Sequence, residues 1–398
     1  VKSYRFDSGV KSLPRWPFFT AGLLIFGLVG YFGYATFLQP DNTQTKEVAA
    51  NQPTPPQPVA LEGRYLFNGT VVLARMVERA AGDDLSQPFS QMSTFAPEQY
   101  DAMTLDWECP TTEDIIPYQT QVERLLFNCH KKWLPEVSKL FKIVSLANNH
   151  SSDLGAEAFA TTRENLNNAG IQTYGHYDPG IEEDVCEVIA LPVRVQMPDG
   201  SETAANLPVA FCAWHYFFRS PLPGEMEVMS QYAEIMPVFG FMHAGAEYYA
   251  TAGPDQEAIA RKMIDLGAEF SIGNSPHWVQ NGEVYKGKPI FYSTGNFIFD
   301  QIDYETMRGL SIDVTLKVPY SQAVAAWLEI GDDCIVLEDT CLEVAKEKGL
   351  KKYDVAITYD VVGSAGGSRR VTKKADETLQ KAIEDRVGWD AMRSQLGQ

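Results

Sequence analysis

Three apolar runs in this chain lead into a histidine. Residues 143–147 lead to Asn148-Asn149-His150, residues 238–242 lead to His243, and residues 270–272 lead through Gly273-Asn274-Ser275-Pro276 to His277. Three more runs stop abruptly on other polar groups: residues 65–67 on Asn68-Gly69-Thr70, residues 103–105 on Asp106-Trp107-Glu108, and residues 290–293 on Thr294-Gly295-Asn296. Neutral imidazole is a common metal ligand, and carboxylate and amide oxygens complete mixed nitrogen and oxygen sites. The chain has only 6 histidines, so three at equivalent positions point to a metal or acid–base centre. A lone histidine is by default structural. His130 and His176 are read that way, and His215, inside an apolar aromatic run, is read as a core residue.

Continuous apolar runs of this length suit strands buried on both faces. Helices are predicted between them. One covers residues 156–169, with Phe159 and Leu166 on one side, and stops at Gly170. Another holds Ile259, Met263 and Leu266, is capped by Asp255 and stops at Gly267. Alternating strands and helices indicate an α/β fold. Ligands in such folds bind beyond the carboxyl ends of the strands, where the polar groups above would converge. The tail is less patterned. Residues 310–319 and 323–337 read as strands, residues 363–367 as a loop, and residues 373–393 as one charged helix packed outside. No Gly-Lys-Ser/Thr motif marks a phosphate-binding loop.

The chain carries 33 basic and 52 acidic residues, a net charge of −19. Such a surface repels phosphate backbones, which argues against nucleic acid as a partner. Residues 18–38 are uncharged and mostly apolar, about the 20 residues a membrane-spanning helix needs. Lys2, Arg5, Lys11 and Arg15 precede the stretch, which predicts a cytoplasmic basic segment over 1–17 and an extracytoplasmic remainder. A cleaved signal peptide would have a shorter apolar core and a better cleavage site than Gln39-Pro40-Asp41. Residues 39–62 are polar and proline-rich and read as a spacer, so the folded domain is expected at 63–398. All 6 cysteines follow the apolar stretch, where they are free to pair. Cys109 and Cys129 bracket a loop, and Cys334 and Cys341 flank a strand-like stretch. Cys212 reads as a buried thiol. The absence of a C-x-x-C spacing removes zinc-ribbon and thioredoxin-type sites.

At this level of detail the sequence resembles the CapA family, the poly-γ-glutamate capsule proteins also called PgsA. Ser145-Leu146-Ala147-Asn148-Asn149-His150 with Asp153 and Gly155 is similar to one family block, and His243-Ala244-Gly245-Ala246-Glu247-Tyr248 to a second. Gly273-Asn274-Ser275-Pro276-His277 and residues 292–300 follow the final block, and Asp106-Trp107-Glu108 stands where the family has Asn-Leu-Glu. The resemblance covers residues 64–310, leaving 311–398 as an extension. It implies a fold like that of calcineurin-like metallophosphoesterases: two facing β-sheets flanked by helices, here preceded by one transmembrane helix. It also implies a metal site of Glu108, Asn149, His150, His243 and His277, with Glu247 beside it and Asn296 orienting a ligand. The chain departs from the pattern at Thr70, where the family has an aspartate, and at Asn274 and Ser275, where it has histidines. A threonine hydroxyl bridges two cations poorly, although Asp106 offers partial compensation. One divalent ion (Mn, Fe or Zn) is therefore expected rather than two, with a site that has lost its metal as the alternative.

Three functions compete. The resemblance implies a membrane-anchored accessory protein that serves synthesis or export of poly-γ-glutamate or a related surface polymer, alongside a membrane-bound synthase. A hydrolase would use metal-activated water, with His150 or His243 as ligand or general acid and Glu247 as base. A surface-binding module would keep the fold without the chemistry. Poly-γ-glutamate is a polyanion, so an acidic domain needs a local cationic patch or a bridging metal to hold it. Arg261, Lys262, Lys286 and Lys288 lie near the final block, where an ordinary solvated face explains them equally well.

Overall fold

The computed structural model describes residues 56–337 and 340–398. The apolar stretch 18–38 and the spacer up to residue 55 lie outside them. Among the described residues no helix is long and apolar enough to cross a membrane. The strands are β1 (Ala60–Val71), β2 (Ala102–Trp107), β3 (Thr111–Thr112), β4 (Cys129–His130), β5 (Phe141–Ser145), β6 (Gln172–Tyr174), β7 (Cys186–Gln196), β8 (Glu202–Tyr216), β9 (Val238–Ala244), β10 (Ala268–Asn274), β11 (Gly282–Tyr285), β12 (Lys288–Phe291), β13 (Asn296–Ile298), β14 (Arg308–Pro319), β15 (Ala356–Ala365) and β16 (Lys373–Lys374). Residues 60–62, read as spacer, thus belong to the first strand.

The two expected sheets are joined into one of 14 strands. Its main path runs β11-β12-β10-β9-β8-β7-β1-β14-β15-β16, and β2, β5 and β6 branch from β1. The junction is β1 itself. Its first residues pair with β7, and from Tyr65 onward it pairs with β2. The sheet folds back into two layers. β10 and β15 are six steps apart along the path, about 29 Å in a flat sheet at about 4.8 Å per step. Yet the rings of Phe270 on β10 and Tyr359 on β15 lie 6.0 Å apart. Phe67, Phe211, Phe239, Phe241 and Phe270 fill the seam between the layers. Both faces of β9 are buried, as its unbroken apolar run requires.

Helices flank the layers. The first three are α1 (Arg75–Ala81), α2 (Tyr118–Arg124) and α3 (Leu134–Leu140). Next, α4 (Ala156–Asn168) buries Phe159, Thr162 and Leu166 and is followed by Gly170 at φ +76°. After α5 (Glu182–Val185) and α6 (Val228–Ala233), α7 (Pro254–Asp265) buries Ile259 and Met263. The expected cap of α7 is corrected: Gly253 is its N-cap, and Asp255 sits in the first turn, where a carboxylate favours the helix dipole.

The tail departs most from expectation. Residues 323–337 form α8 (Gln322–Leu328) and α9 (Gly331–Leu337), followed by α10 (Cys341–Glu347). Ser321 caps α8 through the Val324 amide at 3.2 Å, and Val324 and Trp327 bury at helical spacing. β15 continues through Gly363, where a side chain would strike Ile383 and Gln380 of the helix above it. That helix ends early. α11 (Glu377–Val387) and α12 (Trp389–Leu396) are separated by Gly388 at φ +78°, so the single helix expected at 373–393 is two.

Candidate functional site

The carboxyl ends of β1, β2, β5, β8, β9 and β10, together with the first residue of β13, bring the polar groups to one side of the sheet. Register places Thr70 opposite both Asp106 and Asn296, and His243 opposite both Asn274 and His215. Such close strand ends need glycine. A Cβ on Gly69 would lie 2.1 Å from the Gly295 carbonyl oxygen, and one on Gly273 would lie 2.1 Å from that of Tyr292. Backbone strain gathers at the same place: Tyr248, Ser275 and His277 have φ of +63°, +101° and +57°. Such conformations persist only where the surrounding structure imposes them.

Three imidazoles share one arrangement. His150 Nδ1 lies 2.8 Å from Asp153 Oδ2, His243 Nδ1 lies 3.1 Å from Asp106 Oδ2, and His277 Nδ1 lies 2.8 Å from Asn296 Oδ1. Asn296 spends its amide hydrogens on Gln301 Oε1 and the Thr306 carbonyl, so its oxygen accepts. Each Nδ1 therefore donates, and each Nε2 keeps its lone pair. Two of these point toward one carboxylate. Glu108 Oε1 is 3.8 Å from His243 Nε2 and 4.0 Å from His150 Nε2. The remaining Nε2, of His277, lies 3.6 Å from Glu247 Oε1. Phe127 holds the His150 ring by stacking at 3.8 Å, and its amide donates to Asp153.

The electrostatics follow from burial. Glu108 is 1% exposed. Desolvation, then the charges of Asp106, Asp153 and Glu247, hold its carboxyl well above the usual range. Burial pushes His243 down against the pull of Asp106, and burial with the nearby His243 lowers His215 to about 4. Glu247, half-exposed, is held down by its contact with His277. Glu108 Oε2 and Asn149 Oδ1 are buried with no hydrogen-bond partner. A carboxylate facing two lone pairs needs a proton or a cation between them, and the raised pKa is the answer with a proton.

A divalent ion is the other answer. The donors suit one: imidazole nitrogens oriented through their far side by carboxylates, beside an unpartnered carboxylate oxygen and an unpartnered amide oxygen. Ligands on one ion with bonds near 2.1 Å sit about 3.0–3.4 Å apart, so the pairs at 3.8 and 4.0 Å would draw in by about half an ångström. Among the described residues no three His, Cys, Asp or Glu side chains stand close enough together, as placed, to hold a metal ion, so Glu108, His150 and His243 would have to close in on one. The residues fit a single ion by donor type and orientation.

Glu108, His150 and His243 come together around this point, and Asn149, next to His150 in the chain, ends in a buried, unpartnered oxygen. His277, Glu247 and Asn296 form an adjoining group. The auxiliary residues are spent otherwise. Thr70 Oγ1 donates to Asp106 Oδ2 at 3.1 Å, and Asn274 accepts from Thr294. Asp106 orients His243 and accepts from Asn148 at 3.0 Å, which leaves it a supporting role. Sequence reasoning missed the supports Asp153 and Asn148, although Asp153 lies three residues beyond His150 in the same block. The core reading of His215 is corrected: its ring stands 5.9 Å from that of His243, at the edge of the site. The basic residues near the final block carry no free charge. Arg261, Lys262, Lys286 and Lys288 pair with Glu283, Glu227, Asp265 and Glu269. All six cysteines are joined, as Cys109–Cys129, Cys186–Cys212 and Cys334–Cys341. Cys212 is thus no free thiol; it stands opposite Cys186 on the neighbouring strand.

A mixed α/β fold with histidines and carboxylates at its strand ends defines a class that comparison with known proteins narrows. The family described as bacterial capsule synthesis protein PGA_cap matches residues 64–195 and 231–301, just over half of the chain, and the chain belongs to that family. The capsule biosynthesis protein CapA of Bacillus anthracis is 29% identical over 204 residues, 48% of each chain. The PGA biosynthesis protein CapA of Bacillus subtilis is 28% identical over 249 residues, 59% of this chain and 63% of that one. A probable polyglutamine synthesis accessory protein of Mycobacterium tuberculosis is 29% identical over 181 residues, 42% of this chain and 47% of that one. The chain thus spans between 47% and 63% of the length of these relatives, less than two-thirds of each.

Proposed function

We propose that this protein is a membrane-anchored, extracytoplasmic component of capsule or polyglutamate synthesis or export, and that its strand-end site works by holding one divalent ion. Family membership supports the biological role, together with relatives named for capsule, PGA and polyglutamine synthesis. The pairing of every cysteine supports an oxidising compartment, and the uncharged stretch 18–38 supplies the anchor. A membrane-bound synthase and the polymer itself are the partners this role requires.

The observation that carries the site's reading is the set of acceptors gathered around Glu108. Glu108, His150 and His243 would hold the ion, with Asn149 offering its unpartnered oxygen. A bound ion polarises a carbonyl or phosphoryl oxygen and acidifies water. The protein's own residues shape the surroundings in which that chemistry runs. Asp153 and Asp106 fix the two histidine rings, and the buried setting excludes bulk water. Glu247, ionised beside His277, is placed to accept a proton. The same ion could instead bridge to carboxylates of an anionic polymer, an attraction that the paired Arg261, Lys262, Lys286 and Lys288 do not provide. Hydrolysis of a surface-polymer linkage or phosphoester is the second reading, favoured by the Glu247–His277 pair.

Elemental analysis of the full chain, purified in detergent, tests the ion. Near-stoichiometric Mn, Fe or Zn that disappears in His150→Ala/His243→Ala is the expected result. A folded protein that takes up no metal when offered it would overturn the metal reading and leave an anchored binding subunit.

A further inference from the structure

His215 lies outside every block that carries the family resemblance, and the apolar run around it hides it. In the parallel pairing of β8 with β9 it stands level with His243. Its Nδ1 lies 3.2 Å from the Tyr177 carbonyl oxygen. A carbonyl only accepts, so Nδ1 carries the proton and Nε2 keeps its lone pair. That Nε2 is buried and has no hydrogen-bond partner. Buried acceptors seldom go unpaired, and each exception calls for a reason. Glu108 Oε2 and Asn149 Oδ1 are in the same condition. A cation set among these acceptors, which come from three different strand ends and have no hydrogen-bond partner, would satisfy them together.

Distance agrees. An imidazole bound through Nε2 keeps its ring centre about 3.2 Å from the ion, so two rings on one ion lie within about 6.4 Å of each other. The rings of His215 and His243 are 5.9 Å apart. We infer that His215 is a further ligand of the divalent ion held at this site, supplying from β8 an imidazole that the end of β10 lacks at Asn274 and the residue after it lacks at Ser275. The inference rests on the single-ion reading above. It also specifies the ion: three neutral imidazoles and one carboxylate favour zinc, cobalt or iron over magnesium or calcium.

Cobalt(II) is the probe, titrated into the chelator-treated full chain in detergent and followed by its visible absorption. The wild type should bind one cobalt and exclude magnesium. His215→Phe, which fills the space without a lone pair, should bind at least tenfold more weakly with a shifted spectrum. His215→Gln, which restores an acceptor, should recover part of the affinity, a rescue that a purely structural role would not show. Unchanged affinity and spectrum in both variants would overturn the assignment while leaving the metal site standing. Absence of cobalt binding in the folded wild type would overturn both. If His215→Phe fails to fold, the glutamine variant decides, since a non-ligand His215 predicts no spectral change in it.

Discussion

At the scale of single residues, Thr70 and Asp106 show how a site can be altered without being dismantled. The threonine hydroxyl donates to Asp106 at 3.1 Å, and Asp106 in turn fixes His243. Thr70→Asp would place two carboxylates within contact. One of them would be forced to hold a proton or find a cation. The metal-free variant should lose about 1–3 kcal/mol at neutral pH, and added manganese should restore it while raising the bound ion from one toward two. Thermal unfolding with and without manganese, alongside elemental analysis, checks this. A folded variant that takes up no extra ion would show that the second position is not lost at Thr70. His215 provides a pH test. Its folded pKa of about 4 lies below the ordinary imidazole value of 6.5. The unfolded chain therefore binds the proton first. Stability is full above pH 6.5 and falls as pH drops toward 4, by up to about 3 kcal/mol from this group. Urea unfolding in chelator should show that slope, flattened in His215→Phe. His150, His243 and His277 were legible because each follows an apolar run. His215 was not, because its neighbours on β8 are apolar and its proximity to His243 exists only through strand order.

At the scale of elements, the polar strand ends depend on what ties them down. Glu108 is followed directly by Cys109, and Cys129 receives the Leu73 amide at 3.2 Å through its sulfur. The Cys109–Cys129 bond closes a loop of 20 residues beside the site. Cys109→Ser/Cys129→Ser should cost about 3 kcal/mol of stability and loosen Glu108, so that metal affinity falls further than in Cys334→Ser/Cys341→Ser, whose loop lies in the tail. Calorimetry of both variants measures it; equal affinities would show that the first bond does not support the site. Gly69→Ala should also disrupt the strand end, because its Cβ would meet the Gly295 carbonyl. A loss of about 1–3 kcal/mol is expected from denaturant unfolding. The central strands were readable because burial on both faces leaves a continuous apolar run. Residues 323–337 were misread because local composition favoured strand, whereas the Ser321 cap and the burial of Val324 and Trp327 follow a helical period. Gly363 looked like loop material, yet it is a strand residue under a helix, a contact no local window can contain.

At the scale of the molecule, the two layers were legible through resemblance, but their junction was not. Only the pairing of β1 with both β7 and β2 reveals one folded sheet. The cysteine pairing makes a whole-molecule prediction. Unfolded without reductant, the chain should expose no maleimide-reactive thiol, and after reduction it should expose six; labelling before reduction would contradict the pairing. The course of β1 has a further consequence. The strand enters the sheet at Ala60 and reaches the site at Thr70, a path of about 33 Å at about 3.3 Å per residue. Whatever restrains the chain before Ala60 holds one pole of the domain, and the chemistry sits near the other. The strand thus sets the site about ten residues of extended chain away from the point where the chain enters the domain, and a ligand approaching from that pole has the whole length of β1 to travel.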